Sequence, residues 1–170
     1  MRADELKGRA VLALSNAEKV GQVEDVLFDA QFRRVLGFRV KRGGLFKQAQ
    51  ALLRDSVTSI GADALTVQSP DAVNDEARFA DLAHASTLSQ VEQTKVITES
   101  GELLGTIAHL EIDGDARTVT GYLLASSLKD RMLRRTPEVV RVEEVLRLGE
   151  GGIMTATNAA GARLQTERQS

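Results

Sequence analysis

The stretch Gly21 to Val40, GQVEDVLFDAQFRRVLGFRV, occurs twice in this chain: 84 positions on, Gly105 to Leu124 reads GTIAHLEIDGDARTVTGYLL and aligns with it without a gap. Gly21 meets Gly105, Val23 meets Ile107, Val26 meets Leu110 and Phe28 meets Ile112. Asp29 meets Asp113, Val35 meets Val119, Gly37 meets Gly121, Phe38 meets Tyr122 and Val40 meets Leu124. Solenoid repeats recur every 20 to 50 residues or so, and this longer period signals two copies of one small domain. A domain of about half this chain's length buries only about 60% of the surface its unfolded form exposes. The copies are therefore expected to pack on each other, with a homodimer the next option.

Reading the copies together sets the phase of each strand. The positions apolar in both are 23/107, 26/110 and 28/112. A step of three followed by a step of two breaks the alternation of a regular strand. One extra residue near Glu24-Asp25, and near Ala108-His109 in the second copy, restores the phase, as a β-bulge does. The next strand repeats the device at 35/119, 38/122 and 40/124, with Gly37 and Gly121 beside the extra residue. Two strands each bent once suit the closure of a small sheet into a barrel. Leu27 faces Glu111 in the second copy, which predicts a solvent-facing position. Asp29 and Asp113 open the turns between these strands, where a short carboxylate can bond nearby backbone N–H groups. Turn chemistry is the preferred reading over a pair of functional carboxylates.

Ala10 to Leu14 reads as a first strand closed by Ser15-Asn16. After Val40 the copies diverge: KRGGLFKQAQALLR faces ASSLKDRMLRRTPEVVRV, which runs four residues longer before the next match. Gly43-Gly44 marks a hairpin turn. The copies rejoin at Asp55 to Val67 and from Glu143, where Val57, Ile60, Gly61 and Leu65 match Val145, Leu148, Gly149 and Ile153. A short turn of helix or irregular chain, a glycine and a last strand are predicted there. Ser69 to Thr87 is acidic, opens on Ser-Pro and separates the copies; within it Asp75 to His84 is predicted to form a short helix with Phe79, Leu82 and Ala83 on one side. Beyond Thr157 the tail NAAGARLQTERQS has no apolar period and is expected to be loose.

An opening strand, GQVEDVLFD, VLGFRV, KRGGLF and DSVTSIG together resemble the PRC-barrel domain. This is the β-barrel module of the cytoplasmic part of the photosynthetic reaction-centre H subunit and of the ribosome maturation factor RimM. The likeness covers residues 5–68 closely and 88–157 more loosely. It implies an all-β chain of two tandem small PRC-type β-barrels, at residues 1–69 and 88–157, joined by a short, partly helical linker at 70–87 and followed by a flexible tail at 158–170. It also implies a domain that works through protein contacts and brings no catalytic residues with it. The chain departs from both relatives: it has no membrane-spanning helix before the barrel and no different β domain ahead of it, which is the pattern of an uncharacterised tandem PRC-barrel protein.

Chemistry is sparse. There is no cysteine, which removes disulfides, thiolate metal sites and cysteine nucleophiles, and fits a reducing cytoplasm. The N-terminus lacks the apolar run of a signal peptide, and no stretch approaches the ~18 apolar residues of a membrane span. His84 and His109 are the two histidines and lie in no metal-ligand spacing. Neither a G-x-S-x-G motif nor a phosphate-binding glycine loop is present. The carboxylate pairs Asp113/Asp115 and Glu143/Glu144 read as solvated. No cofactor, metal or catalytic residue is expected.

Charge carries the one functional signal. The net charge of -2 conceals an asymmetry: residues 1–54 hold 11 basic and 6 acidic side chains, and residues 55–128 hold 3 and 12. From Ala30 to Arg54 there is no acidic residue. The candidate partner-binding residues are Arg33, Arg34, Arg39, Lys41, Arg42 and Lys47 in the first copy. Lys129, Arg131, Arg134 and Arg135 join them from the corresponding loop of the second. The plain reading is that such residues are solvent faces guarding strand edges. Next comes an acidic protein partner or the acidic middle of this same chain, and then nucleic acid. Few aromatics weaken base stacking as a mode of binding. The expected function is a non-enzymatic adaptor or regulatory protein-binding module in the cytoplasm, with an RNA- or ribosome-associated factor as the alternative.

Overall fold

The computed structural model describes residues 1–44 and 48–170. Contacts divide them into two units, Met1–Leu88 with Ile112–Val119, and Ser89–Glu111 with Thr120–Ser170. In the first, strands β1 (Ala10–Ala13), β2 (Glu18–Phe28), β3 (Val35–Lys41), β4 (Gln50–Leu53), β5 (Val57–Ile60) and β6 (Ala64–Val67) are followed by the two-residue strands β7 (Asn74–Asp75) and β8 (Ser86–Thr87). In the second, the short helix α1 (Leu88–Val91) leads into β9 (Lys95–Thr98), β10 (Leu103–Ile112) and β11 (Val119–Leu124). There follow helix α2 (Leu128–Met132), β12 (Val139–Arg141), β13 (Val145–Leu148), β14 (Ile153–Ala156) and helix α3 (Asn158–Arg168).

The two sheets have one topology. The first runs β5-β6-β1-β2-β3-β4-β7 and the second runs β12-β11-β10-β9-β14-β13, the same six-strand path read from its other end. In each, the first strand of the copy pairs parallel with the last, β1 with β6 and β9 with β14, while the other pairings given are antiparallel. The chain is all-β, in two tandem copies.

The bulges in the first copy fall where the apolar phase places them. Val23 pairs with Val40 and Asp25 with Arg39, so Glu24 is extra; Leu27 pairs with Gly37 and Phe28 with Val35, so Leu36 is extra beside the glycine. This brings Val23, Val26, Phe28, Phe38 and Val40 together on the buried face. Val57 to Ile60 is a strand in its own right, and the helical turn lies just before it, at Arg54–Ser56.

Leu27 is the clearest departure from the sequence expectation: it is fully buried. It packs with Ala51 and Leu82, and Leu36, Leu53, Phe79 and Ala85 lie against them. The outer face of the first sheet is therefore covered by the segment expected to be a linker. That segment is not one helix. It consists of the helical turns Glu76–Arg78 and Ala80–Leu82, with β7 on the edge of β4 and β8 against β2. Arg39 holds it down by donating to both carboxylate oxygens of Glu76, at 3.1 and 3.0 Å. Truncating the cover is expected to loosen it: Leu82→Ala should cost about 2 kcal/mol, read as a lower thermal midpoint and faster proteolysis between residues 70 and 87.

The tail beyond Thr157 is likewise not loose. Thr157 caps α3 by accepting from the Ala160 N–H at 3.2 Å. Ala160, Gly161 and Leu164 are buried, and a Cβ on Gly161 would stand 3.1 Å from a Thr98 methyl and 3.2 Å from a Glu102 carboxylate oxygen, closer than ordinary contact. Arg163 donates to both oxygens of Glu144, at 3.1 and 2.7 Å, and to the Val139 carbonyl at 2.8 Å. Burial pushes the Glu144 carboxyl up, but the Arg163 hydrogen bonds and the Arg141 N–H outweigh it and hold the group below its ordinary value. The sequence hides this helix because so few of its contacts are apolar.

Candidate functional site

Among the described residues, the candidate cations of the first unit do not form one surface. In the first unit, Arg33 and Arg34 follow the turn that begins at Asp29. This carboxylate accepts from the Arg33 and Arg34 N–H groups at 2.7 and 3.0 Å, and Phe32 takes a left-handed φ of 51°. The matching turn is built alike: Asp113 accepts from the Arg117 and Thr118 N–H groups at 2.7 and 3.2 Å, and Ala116 has φ 50°. Burial pushes the Asp113 carboxyl up, yet these N–H groups and the Thr118 hydroxyl hold it below its ordinary value. Both aspartates serve the turn.

Lys41 and Arg42 lie at the other end of β3, about 20 Å away at ~3.3 Å per residue. Arg39, between them in sequence, is committed to Glu76; that hydrogen bond, set against the cost of burial, raises its guanidinium pKa above the ordinary value. Lys47 lies outside the described residues. Arg54, in the same acid-free stretch, is buried and donates to the carbonyls of Asp115 at 2.6 and 2.8 Å, Ala116 at 3.2 Å and Val57 at 3.3 Å. Burial pushes its pKa down. Among its described residues the basic stretch thus separates into two end patches and two clasps, Arg39 half-buried and Arg54 buried.

In the second unit three of the four candidate cations line one groove. Ser127 caps α2 and forms a capping box with Asp130. The chain then turns sharply at Arg134, whose φ is 51°. Between this loop, the start of β12 and the end of α3 lies an open groove of about 870 Å³, with Lys129, Arg134 and Arg135 on its wall and Leu104, Leu124 and Leu133 among its apolar lining. Arg131 sits on α2, exposed, but does not line it.

The acidic side chains of the groove are already engaged. Glu138 accepts from Arg168 at 2.8 Å, Glu167 from Arg163 at 2.7 Å, and Asp130 lies within 3.8 Å of Arg135 while capping α2. The Ser127 hydrogen bond, ahead of the nearby cations, holds the Asp130 carboxyl below its ordinary value. Among the described residues no carboxylate pairs with Lys129 or Arg134. Beside them three large apolar side chains stand in solvent: Leu128 at 68% exposure, Met132 at 76% and Leu133 at 56%. Sequence reasoning passed over this trio. Its signal was the four-residue excess of the second copy at this loop, where leucine and methionine are set among charges.

Among the described residues no group of histidine and carboxylate side chains could hold a metal ion. No helix there is long and apolar enough to cross a membrane. His84 is exposed and His109 half-buried.

The family model for the PRC-barrel domain matches this chain twice, at residues 1–73 and 84–160. No curated protein matches it. Among solved structures, the chain is similar to a protein of Pseudomonas aeruginosa described as the 16S ribosomal RNA processing protein RimM. Identity is 16%, covering 89% of this chain and 95% of that one, with a TM-score of 0.31.

Proposed function

Because this chain belongs to the PRC-barrel domain family, with two copies matched, we propose that it is a non-enzymatic, cytoplasmic adaptor that binds an acidic protein. The contact surface is the basic loop of the second copy, Lys129, Arg131, Arg134 and Arg135. Arg33, Arg34, Lys41 and Arg42 of the first copy contribute secondary patches. The observation that carries this reading is the pairing state: the carboxylates around the groove are taken, while Lys129 and Arg134 are left to solvent beside exposed leucine and methionine. Aromatic and Arg residues are favoured at protein contacts, and apolar side chains ringed by charge are a common interface pattern.

Nucleic acid is the weaker occupant for the same cations. Phe28, Phe32, Phe38 and Tyr122 are all buried, so none of them offers a stacking face. The test is capture from native cell extract by the full chain and by a Lys129→Glu/Arg134→Glu variant. An acidic protein should be retained by the first and lost by the second. Equal retention by both would overturn the reading. So would binding of random RNA at low salt that falls steeply with added salt and is flattened by Arg33→Ala/Arg34→Ala/Arg42→Ala.

A further inference from the structure

We infer that the groove of the second unit receives an extended peptide segment carrying both carboxylate and apolar side chains, supplied by a partner protein. This inference rests on the reading above and narrows it, from an acidic surface to a linear acidic segment. Three observations point to that occupant.

The first is shape. The site is a concave channel of about 870 Å³. A flat folded surface or a lipid bilayer leaves an open groove largely unfilled, whereas an extended chain can lay side chains into it. The second is the mixture on its wall. The exposed Leu133 gives apolar contact beside the buried Leu104 and Leu124, and Lys129 and Arg134 line the same groove with no carboxylate paired to them. A purely acidic ligand would leave Leu133 wet, and a purely apolar one would leave the cations without partners.

The third is that the chain holds a segment of this chemistry elsewhere. On the first unit, Asn74 to Leu82 lies along the β4 edge in extended strand and single helical turns. It offers Glu76 to Arg39 and Asp75 to Gln50, at 3.0 and 2.6 Å, and sets Phe79 and Leu82 against Leu27 and Leu36. The place differs, but the chemistry is the one the groove fits: carboxylates onto cations, with large apolar side chains between them.

A labelled twelve-residue peptide of alternating Glu-Leu and Glu-Ser pairs serves as probe, with fluorescence anisotropy on the full chain at low salt. Saturable binding is expected, weakened about tenfold or more by Lys129→Glu/Arg134→Glu and several-fold by Leu133→Ser. The Gln-for-Glu version of the peptide should not bind. These positions are exposed, so unchanged thermal midpoints should show that the variants remain folded. The inference is overturned by absence of binding, by equal binding of the Gln peptide, or by a charge-reversed variant that binds as well as the parent. It is also overturned if anionic phospholipid vesicles, and not the peptide, retain the chain through Leu128 and Met132. Should the captured protein depend on Lys129 and Arg134 while the peptide fails to bind, the partner is a folded surface: the narrower inference falls and the adaptor reading stands.

Discussion

Replacing Arg54 by methionine is expected to destabilise the first unit by about 3 kcal/mol, although methionine reproduces much of the arginine's aliphatic stem. The loss comes from the far end of the side chain. The guanidinium donates to carbonyls of Asp115, Ala116 and Val57. In the variant these acceptors face an apolar side chain. A buried acceptor stripped of its donor costs ~1–3 kcal/mol, more when the lost donor is charged. Water can reach the exposed Asp115 and recover part of this, which keeps the figure well below the sum over all the lost bonds. Arg54→Lys should recover little, because one ammonium cannot reproduce a planar fork reaching three carbonyls. Chemical denaturation of the full chain should show the first unit unfolding at lower denaturant. An unchanged midpoint in Arg54→Met would remove the clasp from the account of the fold.

Gly37→Ala is expected to be nearly as damaging, and Gly121→Ala much less so, although the two glycines are matched in the repeat. A Cβ on Gly37 would come within 2.4 Å of the Leu52 carbonyl oxygen, a backbone atom of a paired strand that cannot swing aside. On Gly121 it would meet a Val139 methyl at 2.7 Å, the end of a side chain, with the Val140 carbonyl at 3.4 Å. Overpacking a rigid neighbour costs about 3 kcal/mol, and overpacking one that can change rotamer about 1 kcal/mol. At this size the first loss lowers the midpoint by about 10 °C. Equal shifts for the two variants would mean that strand bending, common to both positions, sets the requirement and not close approach.

Much of the fold is legible in the sequence because two copies constrain each other. A position apolar in both, such as 26/110 or 28/112, faces a core in both. A step of three between such positions is the mark of an inserted residue, and Glu24 and Leu36 are those insertions. The same comparison misleads where the copies stopped sharing a neighbourhood. Leu27 opposite Glu111 reads as a tolerant surface position, yet the difference records that the first copy is covered and the second is not covered in the same way. Leu53 and Arg141, which pair with Gly37 and Gly121, tell the same story. A correct reading would have taken the apolar side of each mismatch in copy one and set it against Phe79 and Leu82.

The candidate site was legible only in part. Net charge along the chain identifies cations but not their partners. Arg39 and Arg54 look like Arg131 in sequence, and their fixed partners, Glu76 for one and backbone carbonyls for the other, make them clasps. The cations left in the second copy's loop gain their meaning from Arg163 and Arg168, which neutralise Glu144 and Glu138. Both arginines stand in a tail whose composition shows no helix-forming apolar face.

The turn of the second repeat, Ile112 to Val119, belongs to the first compact unit. There it takes the Arg54 clasp, and its Thr118 bridges to Arg34. The boundary of the sequence repeat and the boundary of the folded body therefore do not coincide. Cutting the chain between the repeats takes from the first body the turn that receives its Arg54 side chain.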